Sequence, residues 1–126
     1  MIAQTRKEYN VDSTRFYLTG LSQGGHGTWA IAANHPDLFA AIAPVCGWGD
    51  EEIAKKLTKM PIWAFHGDAD KSVPVESSVN MATLINAHKL RDVQDKNEYY
   101  SKNSPPPGAK VQEYERPIWF KARPKP

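Results

Sequence analysis

The six residues Gly20-Leu21-Ser22-Gln23-Gly24-Gly25 constrain this chain more than any others, because they set a serine among glycines where an extended run turns into a helix. Upstream, residues 15–19 (Arg-Phe-Tyr-Leu-Thr) form a short β-branched and aromatic run that predicts a buried strand. Downstream, residues 28–35 are alanine-rich and stop at His35-Pro36, which predicts a helix ended before proline. A side chain carried on so tight a turn needs neighbours that lack one. Gly20 and Gly24 are expected to give that clearance, and Gly25 to let the helix lie close on the sheet.

In the order strand, turn, helix, G-x-S-x-G is the pattern of a nucleophile elbow. A serine hydroxyl attacks well only when a base removes its proton. The elbow presents Ser22 Oγ at the carboxyl edge of a parallel sheet, where the Gln23 backbone N–H can face an oxyanion. The start of the helix adds favourable potential at the same place. An ordinary glycine-rich strand-to-helix connection is the competing reading, and the flanking elements with the third glycine weigh against it.

A second constellation lies in residues 59–74, Lys-Met-Pro-Ile-Trp-Ala-Phe-His-Gly-Asp-Ala-Asp-Lys-Ser-Val-Pro. An apolar run of strand length ends at His66-Gly67, and the following loop carries two aspartates. A carboxylate after a later parallel strand is where the orienting member of a Ser…Asp…His order belongs. It holds an imidazole in one tautomer and stabilises the imidazolium. Asp70 is the better candidate for that task, with Asp68 expected to cap or brace the loop. Two solvated loop aspartates are the plainer alternative.

These residues carry a family resemblance. Val11-Asp12, then Phe-Tyr-Leu-Thr-Gly-Leu-Ser-Gln-Gly-Gly-His-Gly-Thr-Trp (residues 16–29), then His35-Pro36-Asp37-Leu38-Phe39-Ala40-Ala41 resemble an α/β-hydrolase. Phe65 to Asp70, with Val73-Pro74, extends the match. The nearest group is the esterases related to dienelactone hydrolases, polyhydroxyalkanoate depolymerases and the phospholipase/carboxylesterase set, over about Tyr9 to about Ala87. The resemblance implies Ser22 as nucleophile, Asp70 as triad acid and the Gln23 N–H as one oxyanion donor. Relatives often carry methionine where Gln23 stands, a change the backbone donor tolerates.

The same resemblance calls for a histidine after Asp70. The sole later histidine is His88, at the end of a predicted helix over residues 76–87 whose apolar face includes Val79 and Leu84. In relatives the histidine follows one more strand; Val111-Gln112-Glu113-Tyr114 starts like that strand, but no histidine occurs through Pro126. His26 is expected to pack or hydrogen-bond along its helix, His35 to meet helix-end carbonyls, and His66 to brace the Asp70 loop. Residues 1–10 predict the last turns of an amphipathic helix. Relatives have several strands before this point, one supplying the second oxyanion donor. Strands over 15–19, 41–45 and 62–65 would form a parallel sheet whose elbow strand has an open edge. Such an edge recruits other strands, so self-association through it is expected.

The fold class that follows is α/β: a partial α/β-hydrolase fold, three-layered, with a short parallel sheet flanked by helices and a disordered C-terminal tail. Residues 1–88 are expected to be the C-terminal half of the hydrolase domain, and 89–126 a polar, proline-rich, basic and mostly irregular tail. Of the 16 Lys and Arg and 14 Asp and Glu, the part before His88 holds 7 and 9, and the rest 9 and 5. A net charge of +2 with no accompanying motif gives no case for nucleic acid. Cys46 is the sole cysteine, so no internal disulfide forms. Trp48, just beyond it, reads equally as an acyl-pocket wall or a core aromatic. No run reaches the length of a membrane span. Residues 68–72 imitate the start of an EF-hand loop, but Val73 and Val79 stand where it needs Gly and Glu. No metal or cofactor is expected. The leading reading is a serine esterase acting on a small-molecule ester; the alternative is a non-catalytic hydrolase-like remnant or binding and assembly module.

Overall fold

The computed structural model describes residues 1–102. The part of the expected tail at residues 103–126, with the strand-like residues 111–114, lies outside the described residues. At the start, α1 (Ile2–Glu8) forms as expected but buries no residue, so the amphipathic face predicted for it packs on nothing described.

Strand β1 (Tyr17–Leu21) pairs in parallel with β2 (Ala41–Val45), Tyr17 opposite Ala41 and Leu21 opposite Val45. β2 has the predicted bounds, whereas β1 starts and ends two residues later than the predicted 15–19. Gly20 and Leu21 stay extended because the ladder to Pro44 and Val45 holds them there. Residues 61–65 lie along the far side of β2, yet only two isolated parallel bridges form, Ile42 to Ile62 and Val45 to Phe65. The hydrogen bonds give the reason. Ile42 N–H donates to Pro61 O and Trp63 N–H to Ile42 O, each at 3.0 Å. Phe65 N–H then donates to Pro44 O at 3.0 Å and Cys46 N–H to Phe65 O at 2.8 Å. The rung missing between these pairs would need an N–H on residue 44, and proline has none. The predicted third strand is thus present with one rung deleted.

Three further helices pack with this sheet, the first lying on both strands and the other two joining it in one core. α2 (Gln23–Asn34) starts immediately after Ser22, five residues before the predicted start at Thr28. α3 (Glu51–Lys56) is capped by Asp50, whose carboxylate accepts from Ile53 N–H at 2.9 Å, a contact worth about 1 kcal/mol. α4 (Glu76–Lys102) runs well past the predicted end at Ala87. Its buried residues Ser78, Met81, Ala82 and Ile85 follow helical spacing. Val79, expected on the apolar face, is instead exposed, while Leu84 packs at the core's margin.

Trp29, Ala32 and Ala33 of α2, Ala54 of α3, Leu57, and Met81 and Ile85 of α4 join Ile42 and Ala64 in one core cluster. The alternate strand positions Tyr17, Leu21 and Trp63 are exposed. Of the three layers expected, the described residues comprise the sheet and this one helical layer.

Candidate active site at the carboxyl end of the sheet

Ser22 has φ 58° and ψ −116°, a strained conformation for a residue with a side chain. It is exposed, at the corner where β1 becomes α2. Two backbone bonds fix the corner: Ser22 N–H donates to Val45 O at 2.9 Å, and His26 N–H to Ser22 O at 3.0 Å. Gln23 opens α2, so its N–H is one of the helix's first amides and has no partner within the helix.

The glycines divide the labour differently from the expectation. A Cβ on Gly20 would run into the Gly24 backbone, and one on Gly25 into Val45 O and the Gly47 backbone. At Gly24 a Cβ would meet nothing within 4 Å. Gly24 therefore gives clearance through its own backbone lying against Gly20, and Gly47 is a partner of the helix that no local sequence signal marked.

The neighbouring strand breaks at the same level: Cys46, one residue beyond β2, has φ 40°. Beyond it lies an open cleft of about 470 Å³, walled by Cys46, Phe65, His66 and Asp70 among others. Ser22 and Asp70 thus occupy the same end of the sheet with the end of β2 between them, and among the described residues no hydrogen bond joins them.

Asp70 braces its own loop, the task expected of Asp68. Its Oδ1 accepts from Ser72 N–H at 2.8 Å and Val73 N–H at 3.0 Å. Asp68 is exposed and makes no side-chain hydrogen bond among the described residues. The Val73 and Ser72 amides hold the Asp70 carboxyl below the usual carboxylate range. Because the native state depresses this pKa, the loop's stabilisation is complete above the unfolded value, about 3.9. It disappears as pH falls through the lower native value. A carboxyl-detected NMR titration should place Asp70 below the chain's free aspartates; an Asp70 titrating with them refutes this.

The histidines have partners of their own. His66 is buried between Ser78 and Val73, bracing the loop as anticipated. His26 Nδ1–H donates to Trp48 O at 2.9 Å, and its ring stacks on the Trp48 indole with centroids 4.8 Å apart. Trp48 is therefore a partly exposed aromatic and no part of the core. His88, on α4, faces Glu51 of α3 at 3.5 Å. His35 closes α2, where its backbone N–H reaches Ile31 O and Ala32 O. Among the described residues no three His, Cys, Asp or Glu side chains gather as a metal site, and no helix is long and apolar enough to cross a membrane.

The sequence profile of the Dienelactone hydrolase family matches residues 1–103. The chain belongs to the dienelactone hydrolase family. Curated relatives of this family member include the bifunctional acetylxylan esterase/xylanase XynS20E of Neocallimastix patriciarum, 37% identical over 56% of this chain and 10% of that protein. Poly(3-hydroxyalkanoate) depolymerase C of Paucimonas lemoignei is 38% identical over 46% of this chain and 14% of its own length. Among solved structures, a thermostable esterase superposes with a TM-score of 0.67 at 42% identity, over 70% of this chain and 24% of that one. These structural neighbours are α/β-hydrolase esterases, which is the fold expected from the sequence. The dienelactone hydrolase family chain spans between about a tenth and a quarter of the length of these three proteins.

Proposed function

We propose that this chain carries the nucleophile and the acid of a serine carboxylesterase, with Ser22 attacking, the Gln23 N–H receiving the oxyanion and Asp70 orienting the base. The observation that supports this most is the exposed, positive-φ Ser22 at a strand-to-helix corner, immediately before a free helix-start amide. In the reaction, Ser22 Oγ forms a bond to the ester carbonyl carbon and the carbonyl electron pair moves to oxygen, opposite Gln23 N–H. The base, an imidazole that no described hydrogen bond places on Ser22, takes the serine proton and delivers it to the departing alcohol, leaving an acyl-serine. Water, activated by the same base, then releases the acid and restores Ser22. The curated relatives, acetylxylan esterases among them, support a small acyl ester as substrate.

A second reading is a hydrolase-like module that binds or assembles without catalysis. It draws support from the engagement of His26, His66 and His88 with Trp48, Ser78 and Glu51. Treatment of the full chain with a fluorophosphonate, followed by peptide mapping, separates the two. A stoichiometric adduct on Ser22 supports the esterase; an unmodified chain supports the module.

The proposal extends to self-association through the edge of β1 that no described residue pairs, beside exposed Tyr17 and Leu21. Sedimentation velocity should show species larger than 14.1 kDa that grow with concentration. A monomer at every concentration rules it out.

A further inference from the structure

Behind the loop that carries Asp70 lies a buried polar chain that the proposed mechanism does not use. The His66 ring, its side chain 1% exposed, has Nε2 2.8 Å from Val73 O and Nδ1 2.7 Å from Ser78 Oγ. Ser78, 1% exposed in the first turn of α4, also lies with Oγ 3.4 Å from Gly47 O. A carbonyl oxygen only accepts, so the hydrogen between His66 and Val73 sits on Nε2. In the uncharged ring Nδ1 is then a lone pair, and the Ser78 hydroxyl donates to it. The Ser78 hydroxyl has one hydrogen for two acceptors, and the 2.7 Å contact with Nδ1 is shorter than the 3.4 Å contact with Gly47 O.

Val73 is consequently held from both sides. Its C=O accepts from His66 Nε2–H, and its N–H donates to Asp70 Oδ1. With Oδ1 also taking the Ser72 amide, one carboxylate oxygen is tied down. The other, Oδ2, makes no hydrogen bond among the described residues and lies 3.8 Å from His66 Nε2. Gly47, at the end of this chain, is the residue against which Gly25 packs behind Ser22. One imidazole therefore links the Asp70 loop to α4.

We propose that Ser78 and His66 are positioning residues for Asp70: the Ser78 hydroxyl fixes the Nε2–H form of His66, which holds Val73 so that Asp70 presents a free Oδ2. This inference rests on Asp70 being the triad acid. Its test pairs the full chain with Ser78→Ala, which removes one hydroxyl at nearly constant volume, and Ser78→Thr, which restores it. Nitrogen-15 NMR of the wild-type ring should show the Nε2–H form alone; Ser78→Ala should mix the tautomers and move the Asp70 carboxyl pKa up toward the ordinary range. Ser78→Thr should restore both signals. Fluorophosphonate labelling of Ser22 should slow about tenfold in Ser78→Ala, the rate equivalent of one buried hydrogen bond.

An Nδ1–H or doubly protonated ring in the wild type overturns the proposal. So does an Asp70 titration that Ser78→Ala leaves in place, or equal labelling of both proteins. A wild-type chain that resists labelling counts against the esterase reading instead, and the tautomer and Asp70 signals then still decide whether the positioning chain exists.

Discussion

Replacing Ser22 with alanine is expected to abolish fluorophosphonate labelling and to lower hydrolysis of a short-chain aryl ester by at least about 10³-fold, since in the proposed mechanism the acyl intermediate forms on Ser22. Labelling and release of the aryl alcohol are the two measurements. Undiminished labelling in Ser22→Ala would put the reactive residue elsewhere and end the esterase assignment. The backbone supplies an internal control. At φ 58° a Cβ is strained whichever side chain follows it, so Ser22→Ala keeps the strain and Ser22→Gly releases it. Two equally inactive variants should therefore differ in stability, the glycine form being firmer by about 1 kcal/mol. Equal melting temperatures would show that the corner is unstrained.

The second large effect is expected at Gly25. A Cβ there meets Val45 O and the backbone of Gly47, atoms that cannot rotate aside as a side chain would. α2 has to lift from the end of β2 to admit even a methyl group. Gly25→Ala should cost about 3 kcal/mol and lower the melting temperature by roughly 10 °C or more. Gly24→Ala, one residue away, meets open space and gains helix propensity, so it should be neutral or stabilising by up to about 1 kcal/mol. Thermal unfolding of the two variants side by side reads the difference. Similar losses in both would mean that close approach to Gly47 is not what residue 25 provides.

The elbow was legible because its chemistry is local: a serine between glycines, after an apolar run and before an alanine-rich one. β2 was legible too, since Ala41–Val45 lies inside an uninterrupted apolar run over residues 38–46. The start of α2 was not. Gly24, Gly25 and Gly27 depress helix propensity, and the helix forms there because the corner at Ser22 and the contact with Gly47 hold it. The gap in the ladder of residues 61–65 depends on which residue faces Trp63, and Pro44 announces its effect only once the register is known. Likewise, Asp68 and Asp70 are indistinguishable by type. Which one braces the loop is settled by the amides of Ser72 and Val73. The link from His66 to Ser78 spans 12 residues between an apolar run and a helix, with nothing in either to mark it.

The two strained residues, Ser22 and Cys46, end adjacent strands, and each has its own N–H tied to the next stretch of chain: Ser22 to Val45, Cys46 to Phe65. Tension of this kind survives only where the lattice around it does not give. Corners of this kind are commonly pictured as loose; here the amide protons of residues 22 and 46 belong among the slow exchangers in deuterated solvent, clocking the opening of the whole rim.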